Sequence, residues 1–437
     1  MPRKIPELVC PAGNLPALKT AIDNGADTVY LGLKDATNAR NFPGLNFTRD
    51  SVAEGIAYAH ARGRQVLMAI NTFVQAGQMA RWQQAVDTAA SLGADAVIVA
   101  DPAVLAYASE KHPGLRLHMS VQSSATNYEA INLMQELFGI RRVVLPRVLT
   151  IEQVQHVIEN TDVEIEVFGF GSLCVMVEGR CILSSYATGE SPNMQGVCSP
   201  AKAVRWEEHP DRMDVRLNDV LIDRYRPDEP AGYPTLCKGR FQVAGETYYA
   251  LEEPTSLNVI EVLPKLIDIG VAAIKIEGRQ RSQMYSAQVT RPLRAALDAA
   301  AKENYRVVPA WQAALGKVSE GSQSTLLRPV RGHDPVPAPL DPTCHKELHM
   351  AQVTATIASK VGLHARPAAT FVKAVAEKGV PVTIAKEGGA AVDASSILGV
   401  MTLGAGFGDV VTLASDADGA EAALEDLKAL LETDLDA

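Results

Sequence analysis

Cysteine is scarce in this 437-residue sequence, with six in all, and aromatic residues make up only 5%. A disulfide framework is not expected, because a chain this long can build an ordinary hydrophobic core. No apolar run approaches the ~20 residues that a membrane span requires. The opening MPRKIPELVCPAGN carries charge but lacks the apolar core of a secretory signal. A cytoplasmic protein without a membrane span is therefore expected. Also missing are HExxH, GxSxG and a GxGxxG after the first strand, which argues against a zinc protease, an α/β-hydrolase and a dinucleotide-binding fold. Positive charge is in deficit: 41 Lys and Arg stand against 51 Asp and Glu. Of the net −10, residues 350–437 carry −6 and residues 1–349 only −4. Tight electrostatic binding of a long nucleic acid relies on clustered Lys and Arg. No nucleic acid partner is expected on that ground, although a local basic groove stays open.

What is present is a regular alternation. Short apolar runs at Glu7–Cys10, Thr28–Leu33, Gln65–Ile70, Ala96–Ala100, Leu117–Val121, Arg142–Leu145, Val163–Phe170 and Ala272–Ile276 read as strands. Amphipathic stretches separate them, at Leu15–Asn24, Ser51–Arg62, Met79–Leu92, Tyr128–Leu137, Ile151–Ile158 and Leu257–Ile269. Their apolar residues recur at three and four, as a helix packed on a sheet requires. Gly25, Gly93 and Gly270 stand at helix stops just before strands. Eight strands over about 280 residues match a (β/α)8 barrel better than an open sheet. Residues 1–320 are assigned to this barrel, with 185–254 as an insertion between strands seven and eight.

Four of the cysteines, Cys174, Cys181, Cys198 and Cys237, fall within 64 residues in the spacing C-x6-C-x16-C-x38-C. Structural zinc usually shows two tight C-x2-4-C knuckles, and none is present. Iron–sulfur clusters accept four dispersed thiolates. Spacing alone leaves two readings open, a cluster and a zinc ion with unrelated buried cysteines. The segment follows strand seven, so it leaves the C-terminal face of the barrel, where such folds place their chemistry.

Around the first two of these cysteines the chain reads E-x-F-x2-G-S-L-C-x4-G-x-C-x-L-S, which resembles the signature of the collagenase-like peptidase family. The opening ELVCPAGNLPALKTAIDNGADTVYLGLKDATNARNFPGLNF is similar to the ubiquinone-biosynthesis branch of that family. The resemblance covers about residues 1–327. It implies that Cys174, Cys181, Cys198 and Cys237 hold a 4Fe–4S cluster. It also implies oxygen-independent hydroxylation of a quinone precursor, with prephenate supplying the oxygen and a UbiV-like paralogue as heterodimer partner. Other members modify tRNA or rRNA, so an RNA-base hydroxylase is the alternative; a scaffold with a purely structural cluster is a third. The peptidase label finds no mechanism here, since no histidine is placed in partnership with a cysteine.

Polar residues at the strand ends are candidates for the pocket rim: Asn38, Ala39, Arg40, Asn46, Asn71, Asp101, Gln122, Ser123, Arg147, Glu277 and Arg279. Arg40 and Arg279 suit an anionic carboxylate ligand, and Glu277 joins them as a candidate catalytic residue. Asp101, just before Pro102, reads as a helix cap. Cys10 reads as a buried, inert thiol, and His118 as a satisfied interior histidine.

After Lys302 the helical pattern fades, and residues 321–349 form a stiff linker with five prolines between Pro329 and Pro342. From Met350 a second domain begins, with a strand at Gln352–Ile357 and then GLHARPAA. Pro367 fits a first helical turn, which puts His364 near a helix N-terminus where an anion is stabilised. Arg366 could pair with a phosphate there. GLHARPAA and SSILGVMTLG together resemble the HPr phosphocarriers of the sugar phosphotransferase system. That resemblance implies an open-faced β-sandwich of α+β class and phosphorylation of His364, with Enzyme I and sugar permease components as partners. It also makes Ser396 a possible regulatory phosphoserine. Met350 stands where a free-standing phosphocarrier would start, so a fusion of two genes is expected, engineered sooner than natural.

Overall fold

The computed structural model describes residues 4–191, 198–229, 231–302, 304–319, 323–324, 351–386, 391–415, 417 and 420–434. The chain divides into two compact units, 1–331 and 332–437. The proline-rich linker expected at 321–349 lies outside the described residues, apart from Gln323–Ser324.

In the first unit the alternating runs become β1 (Glu7–Pro11), β2 (Thr28–Leu31), β3 (Gln65–Ile70), β4 (Ala96–Val99), β5 (Arg116–Met119), β6 (Arg142–Val144) and β7 (Glu164–Ser172). Each pairs in parallel with the next. A later strand, Ala273–Ile276, pairs in parallel with both β7 and β1 and so closes an eight-stranded barrel. The period-2 pattern sorts the side chains. Val9, Tyr30, Leu67, Ala96, Ile98 and Ala273 cluster inside the barrel. Leu8, Cys10, Val29, Leu31, Val66 and Met68 turn outward onto the helices.

The helices that cover this outer face are α1 (Leu15–Asp23), α2 (Arg49–His60), α3 (Met79–Leu92), α4 (Pro102–Lys111), α5 (Tyr128–Phe138) and α6 (Ile151–Glu159). Thr48 and Thr150 start α2 and α6 with capping boxes completed by Ser51 and Gln153, each cap being worth about 1 kcal/mol. Asp101 does cap α4, accepting from Ala103 N at 2.8 Å, and its other oxygen accepts from Val74 N. Gly93 ends α3 at φ 76°, a left-handed position that favours glycine.

Between β7 and the closing strand the chain makes a long excursion. It holds α7 (Ile182–Thr188), an antiparallel sheet of β8 (Val204–His209), β9 (Arg212–Leu217) and β10 (Val220–Tyr225), and a hairpin of β11 (Phe241–Val243) and β12 (Glu246–Tyr248). It returns through β13 (Ser256–Asn258), which lies antiparallel to the end of β7. The helix expected over Leu257–Ile269 is therefore shorter. Pairing with β7 draws the first residues into strand, and α8 spans only Leu263–Asp268. After the closing strand β14 (Ala273–Ile276) come α9 (Gln283–Ala300) and α10 (Pro309–Gly316), the latter beyond the point where the helical pattern fades in sequence.

The second unit has an antiparallel sheet of β15 (Ala351–Thr356), β16 (Thr383–Lys386), β17 (Val392–Asp393) and β18 (Val410–Ser415), in the order β15-β18-β16-β17. Helices α11 (Ala365–Lys378), α12 (Ile397–Thr402) and α13 (Glu421–Leu431) accompany it. Phe371 of α11 and Leu424 and Leu427 of α13 pack with Ile384 and Leu413 of the sheet into one core. Helices and sheet sharing a single buried face is the open-faced sandwich expected. No described helix in either unit is long and apolar enough to cross a membrane.

Candidate functional site

Two adjoining chambers open at the C-terminal ends of the barrel strands. The outer one, of about 460 Å3, is walled by Cys174, Cys181, Cys198 and Cys237 together with Arg40, Arg147, Glu178 and Glu277. Cys174 follows the last residues of β7, Cys181 is the N-cap of α7, and Cys198 and Cys237 lie in the excursion. Local bonds hold these segments in place. Ser184 N donates to Cys181 Sγ at 3.4 Å, Ser184 Oγ donates to Cys198 O at 2.6 Å, and Tyr233 donates to Ser199 O at 2.9 Å.

Among the described residues, one group of three His, Cys, Asp or Glu donors lies within 4.8 Å of one another: Glu207, His209 and Asp214. Among the described residues no three cysteine sulfurs approach that closely. A single tetrahedral zinc, with Zn–S near 2.3 Å, would hold its sulfurs about 4 Å apart. Four thiols on one chamber wall are donors of the kind that iron–sulfur clusters take. Burial pushes the Cys174 thiol up to about 11, assisted by the Glu178 carboxylate, and pushes Cys237 up to about 12, assisted by Cys198. A metal must displace those protons to bind.

The inner chamber, of about 50 Å3, lies deeper in the barrel. Arg40, Gln122, Arg147, Glu178 and Glu277 border both chambers, while Tyr30, Asn71, Ser120, Lys275 and Arg279 line the inner one. Arg279 is buried and donates to Asn38 Oδ1 at 2.6 Å. Burial, reinforced by Arg40, pulls its guanidinium down to about 10. Glu277 accepts from Ser172 N at 3.3 Å. Lys275 donates to Glu166 at 2.5 Å and lies 4.0 Å from the centre of the Tyr30 ring.

Of the strand-end residues, Arg40, Asn71, Gln122, Arg147, Glu277 and Arg279 reach a chamber wall. The others brace loops: Asn46 donates to Arg40 O, Ser123 to Ala100 O, and Ala39 N to Asn71 Oδ1. Cys10 is buried against Thr290, its thiol raised to about 12 by burial. His118 is buried as expected but not satisfied. Among the described residues neither ring nitrogen has a hydrogen-bond partner, and Arg142 and Arg116 add to burial in holding it well below the usual histidine value. Tyr30, Glu178 and Lys275 were not among the candidates. The signal for Lys275 and its partner Glu166 was a charge inside an otherwise apolar strand.

In the second unit His364 is the exposed N-cap of α11, and its side chain makes no capping bond. Arg366 is exposed in the first turn. Ser396 caps α12 and accepts from Gly399 N at 3.1 Å. Ser395, just before it, is bonded to Asp393.

A closed parallel barrel with a four-thiol cavity at the C-terminal ends of its strands, joined to a small α+β sandwich with a histidine at a helix start, defines the class. The chain belongs to peptidase family U32, whose profile matches residues 13–327, and its C-terminal domain matches the PTS HPr component phosphorylation site over residues 351–433. It is 34% identical over 304 residues to an uncharacterized protease of Methanocaldococcus jannaschii, covering 68% of this chain and 67% of that protein. It is 31% identical over 330 residues to the tRNA hydroxylation protein P1 of Bacillus subtilis, covering 74% and 71%. It is 30% identical over 297 residues to the 23S rRNA 5-hydroxycytidine C2501 synthase of Escherichia coli, covering 68% of this chain and 40% of that one.

Proposed function

We propose that the first unit is an iron–sulfur enzyme that hydroxylates a base in RNA. The observation that carries this reading is the convergence of Cys174, Cys181, Cys198 and Cys237 on one cavity beside an arginine-bordered chamber. Relatives named for tRNA hydroxylation and rRNA 5-hydroxycytidine synthesis support the choice of substrate. The expectation of no nucleic acid partner is set aside for this reason. Overall charge reports on long-range attraction to a polyanion, whereas one base entering a pocket needs only local donors.

The four thiolates would hold a 4Fe–4S cluster, which supplies electron transfer when bound. Arg40 and Arg279 would orient a small carboxylate co-substrate such as prephenate. Glu277, at the junction of the chambers, would accept a proton at its carboxylate.

Deleting the gene and profiling both RNA nucleosides and quinones in anoxic cells tests the reading. Loss of a hydroxylated nucleoside with normal quinone is the expected result. Normal nucleosides with accumulation of a quinone precursor would overturn it and restore ubiquinone biosynthesis with a UbiV-like partner.

For the second unit, the matching reading is a phosphocarrier in which His364 takes a phosphoryl group from Enzyme I for sugar permease components. The free amides and dipole of the 14-residue α11 favour the phosphate, and Arg366 would pair with it. A His364→Ala chain that still accepts phosphate from Enzyme I would defeat this assignment.

A further inference from the structure

Three consecutive residues between Cys174 and Cys181 dock on three different barrel loops. Glu178 accepts from Arg147 Nη1 at 2.8 Å, in a buried ion pair with the loop after β6. Gly179, at φ 76°, lies so close to the loop after β5 that a Cβ there would stand 2.7 Å from Gln122 Oε1. The Arg180 guanidinium lies 4.6 Å from the centre of the Phe73 ring in the loop after β3. Arg147 is itself stacked on Phe168 at 3.7 Å, so the anchor of the ion pair is held by β7. These contacts lay the cysteine loop across the barrel mouth, where Glu178, Arg147 and Gln122 form the partition between the two chambers.

We infer that Glu178, Gly179 and Arg180 are a three-point latch that positions Cys174 and Cys181, and that the Arg147–Glu178 pair sets the electrostatic environment of the thiolate site. The second part rests on the cluster reading above; the first does not. A buried ion pair becomes a large perturbation when one partner is removed, because the remaining charge is left without compensation. Without Glu178, the Arg147 cation faces the thiolate site alone. Without Arg147, the Glu178 anion does. Glu178 and Arg147 line the same chamber as Cys174. They touch neither substrate nor metal in this scheme and are positioning residues.

Two measurements on the full chain test the inference. In the metal-free chain, alkylation of Cys174 and Cys181, followed by peptide mass spectrometry, reads the latch. Glu178→Gln and Gly179→Ala should each speed labelling by about tenfold or more, and Glu178→Asp should partly restore the slow rate. Unchanged labelling in both Glu178→Gln and Gly179→Ala, with melting like the parent chain, would overturn the latch. In the iron-loaded chain, the reduction potential followed by electron paramagnetic resonance reads the electrostatics. Glu178→Gln should shift it upward, Arg147→Met downward, and the double variant should return near the parent. A potential that ignores both single substitutions overturns the electrostatic part. A parent chain that takes up no iron or sulfide on anaerobic reconstitution overturns it as well, together with the cluster reading, while the labelling result for the latch still stands.

Discussion

Lys275 on β14 and Glu166 on β7 form an ion pair of 2.5 Å inside the barrel, with both side chains buried. Arg142 adds a second cation at 3.4 Å from the same carboxylate, and Glu164 and Glu7 bond Arg142 in turn. The barrel interior from the Lys275 wall of the inner chamber downward is therefore crossed by a charge network.

Glu166→Leu should cost about 3–5 kcal/mol, because Lys275 and Arg142 are left without their shared acceptor. Pairing it with Lys275→Met should recover much of that loss. Denaturant unfolding of the two variants checks this, and equal destabilisation of both would contradict it.

His118 lies in the same layer, and its depressed affinity for protons gives stability a pH dependence. The unfolded chain binds the proton near pH 6.5, whereas the buried, unpartnered ring binds it only well below that. Between those values the unfolded state holds more protons, so stability falls as pH drops below about 6.5. His118→Phe should flatten this part of the stability profile, measured by urea midpoints at a series of pH values. A parallel loss in parent and variant would show that other groups control it.

Gly13 follows β1, and a Cβ there would stand 2.1 Å from the backbone oxygen of Arg279. Backbone cannot swing aside as a side chain can. Gly13→Ala should destabilise the barrel by about 1–3 kcal/mol and displace Arg279 from the inner chamber. Thermal melting, with titration of a small dicarboxylate as a probe of the arginine, measures both effects.

In the second unit Phe371 is fully buried between helix and sheet. Phe371→Ala should cost about 3–5 kcal/mol and unfold this small domain at ambient temperature. Circular dichroism of residues 350–437 expressed alone, with and without the substitution, is the check. A variant that melts with the parent would show that the core relaxes around the loss.

Much of the barrel was legible because a parallel strand buried on both faces and an amphipathic helix leave different periods in the chain. The strand runs and the helix stops at Gly25, Gly93 and Gly270 follow from local backbone and burial preferences alone. The spacing of Cys174, Cys181, Cys198 and Cys237 was visible in the same way, as was the histidine before the helix at Ala365–Lys378. The conversion of Ser256–Asn258 from expected helix to strand was not legible, since its cause is pairing with β7, more than 80 residues earlier.

The sequence by itself determined most of the barrel's strands and helices, and which residue types stand at the strand ends, because those depend mainly on neighbours a few positions away. Only the tertiary structure decided which of them meet. Closure of β14 on β7 brings Lys275 to Glu166, and the return of the cysteine loop across the mouth brings Glu178 to Arg147. Those encounters depend on how the chain closes in space, and separation along the sequence carries no record of it.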